Sequence, residues 1–391
     1  MAAAAALVLG LTACPPKIPH QPAAMALAQE PVFVEPVVDP DAAGPLVELV
    51  MLAGGSRWDA PGQEGQAWHA AMARPHAPTV TVHVGRDHAW YTLVCPSDAA
   101  SCVGPVDRLL GGFADRAGLV DQAADALTHP DPTDATRDVL YGLLYEAHPY
   151  GHPVVGRLGA LDPTTQLRPG WETPRFTRGT ILARAVGRTD DEAATLTRLL
   201  GPSLARLPAV LPPDAAMKGP PPARGITVAR LPIDGDQVSV HVGVVLSRRA
   251  TNPTRMRPSS DEITAWTEIS ACLTGALPGY AWDPPTEAPP GWQAALTTPL
   301  HPALVWSLTG SVDEVAPALE RLPERLLGVP DAITDACSSD PAARAETVRG
   351  ALDAGYTVVI GVGRDIEDPS LPDVEGDELL DLPAPAEGLF R

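Results

Sequence analysis

The sequence predicts an α+β fold built from two homologous two-layer domains, each a mainly antiparallel sheet with helices packed on one face. Three observations support this prediction. Alternating apolar strands come in pairs and are followed by segments with helical periodicity. Two matched strand motifs recur in the same order, which indicates a duplicated unit of roughly 170–190 residues. A proline-rich segment separates the two copies.

The N-terminal residues predict export and lipidation. Residues 1–14 resemble a lipoprotein signal peptide, because an apolar run too short to span a bilayer ends in small residues before Cys14. In such signals the cysteine is lipidated and becomes the mature N-terminus. A basic beginning is missing, so an alanine-rich start with an incidental cysteine is the alternative. Residues 15–30 predict a proline- and alanine-rich tether.

The first domain is predicted over residues 31–206. Residues 46–57, LVELVMLAGGSR, predict a buried strand that ends in Ser-Arg. Residues 79–85, TVTVHVG, alternate apolar and polar side chains as a half-buried strand does, and residues 88–95 follow as its antiparallel partner. Apolar residues at helical spacing then predict a helix over residues 103–117.

A linker and a second domain follow. The prolines of residues 207–225 exclude a helix interior or a central strand, so this segment predicts the linker. The second domain is predicted over residues 226–391. Its strand QVSVHVGVVLSR repeats the Ser-Arg strand, and its strand TVVIGVGRDIED repeats TILARAVGRTDD of the first domain. Residues 303–310 predict a further strand and residues 312–327 an amphipathic helix.

Charge and motif content exclude several function classes. The formal net charge of −20 argues against a nucleic-acid partner and against broad contact with anionic lipid, since both need a basic face. The sequence contains no P-loop, no dinucleotide-binding fingerprint and no G-x-S-x-G nucleophile elbow. No Cys/His spacing predicts structural zinc.

Export bears on the remaining cysteines. Cys95 and Cys102 flank a turn-like stretch, and an oxidising compartment favours a small disulfide loop between them. Cys272 and Cys337 could also pair, and the sequence leaves that open.

Four stretches resemble the insulinase/pitrilysin family of zinc metallopeptidases, which includes the mitochondrial processing peptidase and its non-catalytic relatives. They are residues 49–73, residues 90–117, residues 129–165 and the Val-Gly-Arg strand that ends each copy. The most specific is the third, in which His148-Pro-Tyr-Gly is followed by Pro153 and Gly156. The resemblance covers roughly residues 31–367 and implies the repeated α+β domain.

The resemblance also implies that the zinc site is lost. Active members carry H-x-x-E-H on a signature helix, where two histidines bind zinc and the glutamate takes a proton from the zinc-bound water. Setting Gly65-Gln-Ala on the family's Gly-x-Ala places Trp68, Ala71 and Met72 in these three slots. Residues 113–145 contain no glutamate to serve as third ligand. The resemblance therefore implies no catalytic residue, no metal and no cofactor.

We expect a catalytically inactive homologue, a lipid-anchored envelope protein that faces the periplasm. The resemblance implies a heterodimer with an active zinc peptidase subunit, or binding of peptide or unfolded polypeptide. Residues 277–296 lack the arginine with which active members hold substrate backbone. The residue after the lipidation site is not aspartate, which favours the outer membrane over the inner.

Two alternatives stay open. One is a zinc peptidase with unusual ligands; the candidates are His69, His83, Asp121 and Glu146. The other is a stand-alone scaffold or binding lipoprotein of the envelope, without a peptidase partner. A neighbouring exported protein with an intact H-x-x-E-H motif would favour the partner-subunit interpretation over both.

Overall fold

A computed structural model gives the structure of the protein. The residues that it describes are 32, 34–51, 55–56, 79–86, 88–111, 132–145, 148–154, 177–178, 180–209, 225–246, 293–297, 303–336, 341–367, 371–376 and 378–382. The predicted signal peptide, the tether, the signature segment (residues 61–72) and most of the linker lie outside these residues. Among the helices of the described residues, none is long and apolar enough to cross a membrane.

Each half of the chain combines strands and helices. The elements of the first half are β1 (Val34–Val38), β2 (Leu46–Met51), β3 (Val80–Val84), β4 (Ala89–Val94), α1 (Val103–Gly111), α2 (Pro132–Tyr145), β5 (Ile181–Gly187) and α3 (Asp190–Ala205). Those of the second half are β6 (Thr227–Ile233), β7 (Val238–Val245), β8 (Gln293–Thr297), β9 (Ala303–Gly310), α4 (Val312–Glu320), α5 (Leu322–Ala336), α6 (Pro341–Asp353), β10 (Thr357–Gly363) and β11 (Glu378–Asp381). All of the strands predicted from the sequence are present.

The two sheets repeat one topology. The first sheet has the strand order β1-β5-β2-β4-β3, and the second has the order β11-β6-β10-β7-β9-β8. In each sheet an equivalent parallel pair, β1 with β5 or β6 with β10, lies beside an antiparallel ladder. Strand β11 extends the second sheet beyond the repeat by pairing with β6. The mainly antiparallel α+β class is therefore confirmed, and the matched order agrees with a duplicated unit.

Helices α1 and α3 cover one face of the first sheet. Burial alternates along β2, so Val47, Leu49 and Met51 point into the core that these helices close. Helix α3 begins where the Thr189 hydroxyl accepts a hydrogen bond from the Glu192 N–H, and its first turn is acidic. The predicted helix over residues 103–117 begins at Val103 as expected, and its described part ends at Gly111.

The second sheet is covered on both faces, so that every residue of β7 is buried. Helices α4, α5 and α6 close one face, and α2 of the first half lies on the other face against β7 and β10. A Cβ atom on Gly243 would lie 2.5 Å from Leu144 of α2, and one on Gly361 would lie 2.6 Å from Thr136. These two glycines therefore let a helix of the first half approach the second sheet closely.

The prediction of one helix over residues 312–327 was wrong in extent. Helix α4 ends at Glu320, and α5 begins two residues later at Leu322. Arg321 between them has a ψ angle of 1°, outside the range of an α-helix. Pro323 lacks an N–H and its ring would clash with the carbonyl four residues earlier, so a continuous helix is disfavoured there. Amphipathic spacing alone did not reveal this break.

Candidate functional site

The residues predicted to fill the former zinc site lie outside the described part of the chain. They are Trp68, Ala71 and Met72. Cys14, the predicted lipidation site, also lies outside the described residues. The structure does describe both flanks of the signature segment. Ser56 precedes it, between β2 and the segment in sequence, and β3 follows it. These flanks and their neighbours form the candidate site.

Arg86 anchors one flank from a buried position just after β3. Its Nη2 donates to Asp138 Oδ1 of α2 over 2.6 Å, and the two side chains are 7% and 4% exposed. Its guanidinium carbon lies 3.5 Å from the centroid of the Tyr141 ring. Burial without a partner would be very unfavourable for either charge, so the pair and the ring fix the position of the arginine.

The same arginine holds the most specific family stretch, residues 148–152. Its Nη1 donates to the carbonyl oxygens of Tyr150, at 3.3 Å, and of His152, at 2.7 Å. The Ser56 hydroxyl also donates to the His152 carbonyl, and the Ser56 N–H donates to the Gly85 carbonyl. We name the set Ser56, Arg86, Asp138, Tyr141 and residues 148–152 the Arg86 junction. It ties Ser56 to the β3–β4 hairpin and to the stretch 148–152, and it ties the hairpin to α2.

Both histidines of this stretch have structural positions. His148 is buried and caps the short 3-10 helix Pro149–Gly151, because its Nδ1 accepts a hydrogen bond from the Tyr150 N–H over 3.1 Å. His152 Nδ1 donates to the Ser56 carbonyl at 3.2 Å, since a carbonyl can only accept. These contacts agree with a structural role of the stretch.

Aromatic rings connect the junction to the second half. Tyr145 stacks with Tyr141 at 5.9 Å between ring centroids and meets Tyr150 edge-on at 5.5 Å. All three rings belong to the apolar cluster that α2 forms with strands of the second sheet. The junction is therefore rigidly linked to the packing of the two halves.

The face of the first sheet that points away from α1 and α3 carries a different set of side chains. Trp90 on β4 stacks with His83 of β3 at 4.1 Å and with His88 at 5.1 Å. Arg184 lies between two carboxylates, 2.5 Å from Glu48 and 3.3 Å from Glu35. These side chains are half-exposed or exposed. Trp90 offers a flat ring for stacking beside the edge strand β3.

Strand β3 is the last strand of the described sheet. Hydrogen bonds from the Val94 N–H to the Thr79 carbonyl, and from the Gly85 N–H to the His88 carbonyl, identify the residues that face β4. Because these bonds alternate along an antiparallel ladder, the N–H groups of Val80, Val82 and Val84 point to the outer edge. This edge can pair with an extended peptide.

The described residues contain no group of three or more His, Cys, Asp or Glu side chains placed to hold a metal ion. Of the alternative ligands, His83 is exposed and stacks on Trp90. The others, His69, Asp121 and Glu146, lie outside the described residues.

A disulfide joins Cys95 at the end of β4 to Cys102 at the start of α1. This is the pair that the sequence analysis favoured. Both cysteines are buried in the core of the first sheet. Between them the Asp98 carboxylate accepts from the Ser101 N–H, and the Ser101 hydroxyl closes a reciprocal cap. The loop is therefore fixed by both covalent and hydrogen bonds.

Sequence analysis missed the central role of Arg86. Its partner Asp138 lies on the same helix as the buried residues Val139 and Leu140, and a charge beside such a run is a signal for a buried ion pair. Because the two charged residues are 52 positions apart, the sequence could not show that they meet.

Comparison with known proteins places the fold. No family model matches the sequence, and no curated protein matches it. A putative M16-like peptidase from Alicyclobacillus acidocaldarius matches with a TM-score of 0.54 and 13% identity, over 86% of this chain and 96% of that one. A protease from Helicobacter pylori gives a TM-score of 0.53 and 12% identity, over 84% and 96%. Pitrilysin gives 0.49 and 14%, over 88% of this chain and 44% of its own.

The chain therefore has the fold of M16-like peptidases, as its resemblance to the insulinase/pitrilysin family implied. Almost the full length of these two structures is matched, so the similarity includes both sheets.

Proposed function

We propose that this chain is an inactive M16 homologue, an exported lipoprotein that binds peptide or pairs with an active zinc peptidase. The observation that carries the proposal is the content of the three family slots in a chain with this fold. Trp68 offers only an N–H donor, Ala71 offers no polar atom, and the Met72 thioether is a soft ligand that suits Cu(I) better than zinc. No side chain in these slots can accept a proton from a metal-bound water.

The Arg86 junction supports the proposal. It contains a buried ion pair and three further hydrogen bonds, formed by residues on both sides of the signature segment in sequence and by the stretch 148–152. A chain that keeps this framework while its ligand slots hold apolar residues is better suited to binding than to hydrolysis. The outer edge of β3, with Trp90 beside it, is where an extended peptide would pair.

Metal analysis tests the loss of catalysis. We expect purified protein to contain no stoichiometric zinc and to show no chelator-sensitive cleavage of unstructured peptides. Stoichiometric zinc together with such cleavage would refute the proposal. As a positive control, Trp68→His, Ala71→Glu and Met72→His in one variant should raise zinc affinity above that of the wild type, because two imidazoles one helical turn apart then face one point.

Strand-edge substitution tests the peptide-binding part. Val82→Pro removes an N–H that points to the outer edge and leaves the ladder to β4 intact, so we expect binding of a fluorescent unstructured peptide to weaken at least tenfold. Thr133→Ser on α2 is a matched control far from the edge and should bind the peptide like wild type. Unchanged affinity of the proline variant would exclude this edge as the binding site.

The partner and the anchor have separate tests. An exported peptidase with an intact H-x-x-E-H motif, encoded beside this chain, should co-purify with it. Cys14→Ala should abolish lipid labelling and release the protein from the membrane fraction. A chain that stays membrane-bound and unlabelled would contradict the lipoprotein assignment.

A further inference from the structure

His241 lies in the middle of β7 and is fully buried between the second sheet and α2 of the first half. Its Nε2 lies 3.0 Å from the Thr133 carbonyl of α2, and its Nδ1 lies 2.7 Å from the Ser307 hydroxyl of β9. Ser239 Oγ lies 3.2 Å from Nε2. The ring therefore joins a helix of one half to two strands of the other.

These partners determine the protonation state of the ring. The Thr133 carbonyl can only accept, so Nε2 carries the proton, and Nδ1 accepts from the Ser307 hydroxyl. A second proton on Nδ1 would leave the Nε2–H bond to Thr133 in place, and the Ser307 hydroxyl would then have to accept from Nδ1 instead of donating to it. The ring is fully buried, and burial is what disfavours its charged form.

None of the described residues that hydrogen-bond to the His241 ring supplies a carboxylate. The element packed over it, α2, contributes Arg137, whose charge has the same sign as an imidazolium, and Asp134, which is ion-paired with that arginine. Within the described part of the sheet, the neighbouring strands place uncharged groups beside the histidine: Ser307 and Thr309 from β9 and Val359 from β10. Burial is the main cause that lowers the pKa of His241 to about 3, and the charge of Arg137 is the second. The hydrogen bond to Thr133 opposes them with a smaller effect.

We propose that His241 is an acid-sensitive latch between the two halves of the chain. In its neutral form it fastens the N-terminal turn of α2 to the second sheet. When the pH falls, the ring of the undocked state takes up a proton that the buried ring disfavours, and this shifts the equilibrium toward a loosened α2. Because Asp138 and Tyr141 of α2 hold Arg86, loosening the helix also releases the Arg86 junction. The latch thus couples ambient pH to the candidate site.

The direction of the effect follows from linkage. The folded pKa lies below the ordinary value of 6.5, so the unfolded or undocked state binds the proton more tightly. The stabilisation is fully present above pH 6.5 and is lost progressively as the pH falls toward 3. Over that range the opening equilibrium of α2 rises roughly tenfold for each pH unit.

Native-state hydrogen exchange on the full chain tests the latch. Protection factors of the α2 amides, corrected for intrinsic rates, should fall on the order of 100-fold between pH 6.5 and 4.5 in the wild type. His241→Gln keeps a donor toward Thr133 and does not titrate. The fall in its α2 protection factors over the same pH range should therefore be at least tenfold smaller than in the wild type. His83→Gln removes an exposed histidine and should keep the wild-type pH dependence.

Two results would overturn the proposal. One is an equal pH dependence of α2 protection in the wild type and in His241→Gln. The other comes from the wild type alone and is independent of how the variant folds. NMR titration of the His241 ring should show no protonation above pH 5, and a midpoint near 6.5 in the folded protein would show that the site does not exclude the proton.

Discussion

Removing one partner of the buried Arg86–Asp138 pair gives the sharpest prediction about stability. Asp138→Asn preserves the size of the side chain but leaves a guanidinium that is 7% exposed without its counter-charge. The Tyr141 ring and the two backbone carbonyls remain, and they compensate only in part. Breaking a buried pair from one side typically costs about 3–5 kcal/mol, and we expect about 3 kcal/mol here.

Urea unfolding with tryptophan fluorescence measures this loss, provided that the transition is two-state. Asp107→Asn is the matched control, because Asp107 pairs with Arg206 at positions that are 36% and 66% exposed and should lose less than about 1 kcal/mol. A double variant with Arg86→Met should be more stable than Asp138→Asn alone, since it removes the unpaired charge. If the free energy of unfolding falls no more in Asp138→Asn than in Asp107→Asn, the buried pair stabilises the fold no more than the exposed pair does, and the reasoning is refuted.

Two further predictions concern packing and the disulfide. Gly243→Val places methyl groups where a Cβ already comes within 2.5 Å of Leu144, so thermal unfolding should show a loss of about 1–3 kcal/mol. Gly201→Ala, in open space on α3, should be neutral or stabilising by up to about 1 kcal/mol, and equal effects of the two would contradict close helix–sheet contact. Reduction of the Cys95–Cys102 disulfide should lower the free energy of unfolding by about 2 kcal/mol, and Cys95→Ala with Cys102→Ala should abolish the dependence on reductant.

Much of the fold follows from local pattern. Alternation of apolar residues marked the strands β2, β3 and β4 because half-buried strands expose every second side chain to water. The recurrence of two strand motifs predicted the repeated topology that the two sheets show. Spacing also suggested the cysteine pair, since residues seven apart around a turn lie within reach of each other. These features depend on neighbours in sequence.

The candidate site could be predicted only in part. Alignment with the family's motif assigned Trp68, Ala71 and Met72 to the metal slots. That assignment stays a prediction, because these residues lie outside the described structure. His148 was given a structural role, and its cap on the following turn agrees with that role. The break between α4 and α5 was missed because proline is tolerated in the first turn of a helix as well as disfavoured in its interior. Sequence alone does not show which of these positions Pro323 occupies.

By itself, the sequence determined the α+β class and the recurrence of the strand motifs. Its assignment of Trp68, Ala71 and Met72 to the family's metal slots stays a prediction. Only the tertiary structure decided that α2 of the first half covers the sheet of the second, and that Arg86 and His241 each find partners across the fold. The physical reason is the same in both cases. Burial makes an unpaired charge or donor unfavourable, but which group satisfies it depends on contacts between residues far apart in the chain, and no local pattern encodes them.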